Sequence, residues 1–263
     1  MKTEEIEKIK LVIDPELLPE TAEFFENSIL TDMDPYELAD EIVQRDRTVD
    51  MPKELFDFVV GLYLEAIDRG NANAMNDLGA LYYDGRGCEQ DFTKAVHYYR
   101  MAAQNGSSQA QENLGYCYYY GRNMPVDYEK AFRYFALGAF RGRLISLYKI
   151  GDMYRNGFYV EKDPKEAFGI YIRCLDLMTD EAAATVAGPV YLRVGTALLT
   201  GEGVDADPKK ALVAFQRAEL FLYDMVSGGD AMYKKSLQAA IDGQLKARAM
   251  LAEALPKQEW TAD

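Results

Sequence analysis

The amino-acid sequence predicts an all-α protein, an α-solenoid of stacked helix-turn-helix hairpins. Three observations lead there. Leu78-Gly79 returns as Leu114-Gly115, Ile150-Gly151 and Val194-Gly195, at steps of 36, 36 and 44 residues. Three further columns keep those same steps: Gly85, Gly121, Gly157 and Gly201; Asp91, Asp127, Asp163 and Asp207; Ala95, Ala131, Ala167 and Ala211. Each unit also carries the punctuation of two helices, a glycine that ends one and an aspartate that opens the next. A hairpin of this kind cannot bury its apolar face alone, and stacked copies bury a continuous core.

The elements follow in chain order. Thr21 to Leu30, with Phe24 and Phe25, reads as a short helix. Asp34-Pro35 opens another that reaches about Arg45, with Leu38, Ala39 and Ile42 on one face. Lys53 to Gly70 reads as a lone second helix, because Ala66 and Gly70 precede Ala102 and Gly106 by 36 residues. Within each full unit the first helix ends at the second glycine, which adopts the left-handed conformation without penalty. Asp163-Pro164 and Asp207-Pro208 pair an N-cap with a proline at the first helical position, and Asp91 and Asp127 offer the cap alone. The second helix then shows Ala95, Tyr98, Tyr99, Ala102 and Ala103 at helical spacing. Gly79, Ala95 and Ala102 let neighbouring helices approach closely, with Tyr82, Tyr98 and Tyr134 as bulk between them. Eight extra residues fall between Ala167 and Gly195. Met225 to Leu255 reads as one or two closing helices, broken near Gly228-Gly229, and Trp260 lies in a tail. The chain thus divides into an acidic helical N-terminal cap (1–52), a degenerate half-repeat (53–72), four repeats (73–224) and C-terminal capping helices with a tail (225–263).

Composition narrows the function. The 263 residues carry 43 acids against 29 Lys and Arg, a net charge of −14. Residues 1–57 hold 17 of those acids and only 6 bases. A field of that sign repels a phosphate backbone, so nucleic acid is not an expected partner. One island runs the other way: between Arg122 and Arg155 seven bases face three acids. It is either a set of solvated helix faces or a surface for an acidic peptide, the acidic N-terminal segment included. Mean hydropathy is −0.26. No stretch reads as an apolar run of the roughly 20 residues a membrane span needs, and the N-terminus shows no apolar leader. With only three cysteines, the expectation is a cytoplasmic protein that makes no contact with membrane.

Catalytic chemistry finds little support. The single histidine, His97, occupies a column shared with Arg133, Gly169 and Val213, which is a solvent-facing position. Cys88, Cys117 and Cys174 have no zinc-ligand spacing; Cys117 and Cys174 align with core positions. Gly85-Arg86-Gly87 and Gly201-Glu202-Gly203 lack the strand and lysine of a phosphate loop and fall where helices end. No pair of carboxylates stands out. Catalytic, cofactor and metal sites are therefore not expected.

The repeated pattern resembles the Sel1-like repeat family, relatives of the tetratricopeptide repeats. The first unit carries it in Ala74, Leu78-Gly79, Tyr82, Gly85, Gly87, Lys94-Ala95, Tyr99, Ala102-Ala103 and Gly106, and the later units match at the corresponding positions. The fourth has Leu198 in place of the tyrosine. The resemblance implies a right-handed solenoid whose first helices line a concave side. It also places Asn76, Tyr83, Asn113, Tyr116, Tyr119, Tyr120, Lys149, Arg155 and Arg193 among the residues that would meet a partner there. Tyrosine and arginine are enriched at binding hot spots, asparagine can pair with both backbone groups of an extended peptide, and the three cations can receive carboxylates.

The function expected on these grounds is non-enzymatic: a scaffold or adaptor that binds a protein or peptide partner in its concave groove. An immunity-type or inhibitory partner of a basic protein, acting through the acidic surface, is the alternative. A carboxylate-dependent hydrolase and a self-stacking structural protein stand further off.

Overall fold

The computed structural model describes residues 3–28, 30–45 and 50–254. Among them every regular element is helical. The chain divides between Gly138 and Ala139 into two compact units, a coarser division than the four segments read from the sequence.

The first unit begins with α1 (Thr3–Lys10), α2 (Pro19–Asn27) and α3 (Pro35–Gln44), followed by the lone helix α4 (Lys53–Asp68). Helix α1 has no counterpart in the sequence reading; its buried face is only Ile6 and Ile9. Two hairpins follow, α5 (Ala72–Asp84) with α6 (Phe92–Gln104), and α7 (Ser108–Tyr120) with α8 (Tyr128–Phe140). Four hydrogen bonds fasten the acidic cap to the first hairpin. Arg86 donates to the carbonyl oxygens of Val43 and Arg45, the latter at 2.8 Å. The Gly87 amide donates to Asp50 Oδ1 at 2.8 Å, and the Tyr36 hydroxyl to Asp77 Oδ2 at 3.2 Å. Beneath them Leu38, Ile42, Leu55, Val59, Tyr63 and Leu78 form one core.

The second unit holds the hairpins α9 (Leu144–Asn156) with α10 (Pro164–Asp176) and α11 (Asp180–Thr200) with α12 (Pro208–Ser227). The chain breaks after Ser227, makes a short 3-10 turn at Ala231–Tyr233, and closes with the single helix α13 (Lys234–Ala254). Trp260 lies outside the described residues. The eight extra residues lengthen α11 at its start to 21 residues, against 13 in α9. That length makes α11 apolar and long enough to cross a bilayer, contrary to the expectation that no stretch would. Packing accounts for its composition, since Val186, Val190, Val194 and Leu198 are buried against α10 and α12.

The glycine columns have a steric cause. A Cβ on Gly79, Gly115, Gly151 or Gly195 would stand 2.8, 2.7, 2.6 or 2.8 Å from the ring of Tyr99, Phe135, Tyr171 or Phe215 on the second helix of the same hairpin. Each hairpin closes by pressing an aromatic ring onto a bare backbone. A second module repeats beside it in the first unit. Tyr82 stacks on Tyr98 with ring centres 5.9 Å apart, and Tyr118 on Tyr134 at 5.7 Å. Lys94 and Lys130 lie over the first ring of each pair at 4.6 and 5.2 Å. The helix-ending glycines Gly85, Gly121, Gly157 and Gly201 all take φ between 69° and 73°, the left-handed cap the spacing predicts.

Candidate functional site

The second unit contains a pocket of about 510 Å³ whose walls are the free faces of three helices. Helix α9 contributes Asp152, Arg155 and Asn156; α11 contributes Leu192, Arg193, Thr196, Leu199 and Thr200. These positions fall on the first helices of the third and fourth hairpins, the surface expected to face a partner. The last wall is α13, with Ser236, Ala239, Asp242, Gly243 and Lys246, and Phe215 of α12 forms part of the floor. Helix α13 approaches closely because Gly243 lies flat on Phe215: a Cβ there would be 2.5 Å from the ring.

A buried ionic cluster underlies the pocket. Asp152 accepts two bonds from Arg193, at 2.5 Å from Nε and 2.6 Å from Nη2, and one from the Tyr171 hydroxyl at 2.9 Å. The third Arg193 nitrogen donates to the Pro189 carbonyl at 2.8 Å, and the guanidinium lies 4.7 Å over the Tyr148 ring. Lys149 Nζ stands 3.7 Å from Asp152 Oδ2. Burial penalises the Asp152 carboxylate, but Arg193, Lys149 and Tyr171 together outweigh it and hold its pKa below the usual value. Burial pushes Lys149 down to about 8, against the pull of Asp152 and with the help of Arg193. Burial also opposes the Arg193 charge; the paired carboxylate more than restores it.

The rim is also charged. Arg155 Nε donates to Glu202 Oε2 at 3.0 Å, and Lys162 Nζ lies 3.6 Å from Glu202 Oε1. Thr196 and Thr200 donate their hydroxyls to the Leu192 and Thr196 carbonyls at 2.8 and 2.9 Å, which leaves the oxygens as acceptors. Lys246 makes no ion pair or hydrogen bond among the described residues.

Of the nine residues expected to meet a partner, Arg155 and Arg193 line this pocket and Lys149 lies beneath it. Lys149 is only 6% exposed, which corrects its expected place on a contact surface; Asp152, one turn away, holds its charge inside. The other six belong to the first unit. Asn76 is 2% exposed. Its amide donates to Asp77 Oδ1 at 3.0 Å and accepts from Asn113 Nδ2 at 3.0 Å. These two asparagines satisfy each other across neighbouring first helices instead of waiting for a peptide backbone, and Asp77 passes the ladder on to Tyr36 of α3. Tyr83 packs edge-on against Phe92 at 5.1 Å, and Tyr116 against Phe135 at 5.5 Å. Tyr119 lies at 5.6 Å from Tyr128. Tyr120 is 48% exposed and stacks on Tyr116 at 6.1 Å. Tyr116, Tyr119 and Tyr120 form one aromatic cluster with Tyr120 at its exposed edge.

His97 is exposed, as its mixed column implies, and Cys117 and Cys174 are buried. Burial raises both thiols to about 12, which suits packing and not nucleophilic attack. Sequence reasoning missed the α13 wall. The only signal was Ala240 and Gly243, small residues one turn apart that admit a ring between helices.

Comparison with known proteins supplies the family context. Residues 72–107, 108–139, 144–173 and 189–218 each match the Sel1 repeat. A Sel1 repeat protein from Oxalobacter formigenes is 24% identical over 81% of this chain and 82% of its own, with a TM-score of 0.55. The protein c5321, a protective antigen of uropathogenic Escherichia coli with an SLR fold, is 19% identical over 95% of this chain, with a TM-score of 0.53. This chain spans 56% of that structure. An immunity protein, Pa5087 from Pseudomonas aeruginosa, is 20% identical over 82% of this chain and 81% of its own, and at a TM-score of 0.46 its likeness carries no argument. No curated protein matches the chain. At these identities the likeness shows the fold alone.

Proposed function

From the premise that this chain belongs to the Sel1 repeat family, whose members generally mediate protein–protein interactions, we propose that it is an interaction scaffold and that the pocket of the second unit is where a partner segment docks. One observation carries the reading. The pocket gathers the free faces of the first helices of two successive repeats, α9 and α11, and combines an apolar floor with donors and acceptors on its walls. That mixture suits a peptide segment, which presents side chains and unpaired backbone groups together. The sequence supplies no nucleophile–base pair to set beside it, so binding is the activity proposed.

Affinity capture from native lysate tests the proposal. Wild type would run beside Thr200→Trp, which fills the pocket mouth, and Val213→Arg on the outer helix, where Val213 is 48% exposed. A partner retained by wild type and Val213→Arg but lost by Thr200→Trp is the expected result. A partner retained equally by all three, or lost only by Val213→Arg, would remove the pocket from the account.

A further inference from the structure

We infer that the pocket is selective for an acidic segment, a stretch of glutamate or aspartate carrying an adjacent apolar side chain. The inference rests on the scaffold reading above and names the ligand class of that same site.

Charge is the first ground. Arg155, Arg193 and Lys246 line the pocket against Asp152 and Asp242, and the ion pairs that extend from the lining add Lys149 and Lys162 against Glu202. Cations prevail here in a chain whose net charge is −14. The unspent donors are the second ground. Asp152 takes up Arg193, and Glu202 takes up the Arg155 Nε. The two terminal nitrogens of Arg155 donate no hydrogen bond among the described residues, and neither does Lys246 Nζ. Both residues line the pocket, from two different helices, α9 and α13. A carboxylate arriving there meets charged donors that no internal acid has claimed.

The third ground is that the site already holds carboxylates well. Asp152 sits bidentate on Arg193, and Glu202 bridges Arg155 and Lys162. Of these three acids, only Asp242 has no ion pair among the described residues, and its Oδ1 accepts from Gln238 Nε2 at 2.9 Å. Leu192 and Leu199, both half-buried in the wall, offer the apolar contact for a neighbouring side chain.

Fluorescence anisotropy with a labelled, end-blocked peptide of glutamates around one leucine tests this, with lysine-for-glutamate and glutamine-for-glutamate peptides as controls. The acidic peptide alone should bind. Its affinity should fall at least about fivefold in Arg155→Gln and further in Lys246→Glu, and it should weaken as salt is raised from low to high ionic strength. Both substitutions lie at solvent-accessible positions, and thermal melts matching wild type would show the fold intact. Equal binding of the acidic and glutamine peptides, preference for the lysine peptide, no binding at all, or affinity unchanged in both variants would each overturn the inference. The capture experiment is blind to ligand charge, so the two readings fail separately. A partner that still depends on Thr200, from a chain that ignores the acidic peptide, removes the ligand class and leaves the site.

Discussion

At the scale of single residues, the repeat is a device for pressing rings onto backbone. Gly115→Ala puts a methyl about 2.7 Å from the Phe135 ring, and overpacking of that kind costs about 1–3 kcal/mol. Urea unfolding should show that loss, and Phe135→Leu in the same chain should return part of it. Gly169 provides the opposite case. It is helical and exposed, and nothing lies within 4 Å of the place a Cβ would take there; Gly169→Ala should therefore stabilise by about 1 kcal/mol. Gly115 belongs to a column that is glycine in every repeat, whereas Gly169 shares its column with His97, Arg133 and Val213. Lys149 makes a pH prediction. Its folded pKa of about 8 lies below the ordinary 10.5, so between those values the unfolded chain binds more protons and stability rises with pH. The contribution is present above about 10.5 and lost as pH falls through about 8. Measured against Lys149→Met, with Asp152, Arg193, Tyr148 and Tyr171 unchanged in both, wild type should gain on the order of 3 kcal/mol across that window. Parallel stability curves for the two proteins would contradict the buried, depressed amine.

Among the elements, caps did most to make the fold legible. Asp91, Asp163 and Asp207 accept from backbone amides two or three residues on, where the aspartate column placed them. Asp163→Ala should cost about 1 kcal/mol, seen as an earlier urea midpoint with an unchanged slope; no change would mean that the proline at the next position starts α10 unaided. The features that escaped the sequence reading were one helix, α1, the apolar length of a second, α11, and the placement of a third, α13, whose existence as a closing helix was expected. Helix α1 buries two isoleucines in eight residues, too little for a pattern. The apolar length of α11 looked like no special feature because its first eight residues interrupt the repeat. Helix α13 follows the last repeat, so no register announced that Asp242 and Lys246 would face the third and fourth hairpins.

For the molecule as a whole, the repeats were readable and the proposed docking surface only half so. The family resemblance indicated which helices carry free faces, and in the second unit those faces do bound a pocket. It gave no sign of what those faces would do with their own polar groups. Asn76 met Asn113, Arg193 met Asp152 and Arg155 met Glu202, because a buried polar group is costly unless paired. Residues chosen for their capacity to bind were thus partly consumed by the fold, and the donors left over on Arg155 and Lys246 define the site more narrowly than the residue types alone. The most direct test of this account places a photo-crosslinking residue at Thr200 in the pocket and, separately, at Val213 on the outer face and Tyr120 in the first unit. The account predicts one protein partner cross-linked from position 200 and not from 213, with Tyr120 reporting whether the aromatic edge takes part. Cross-links from 213 with none from 200 would contradict it.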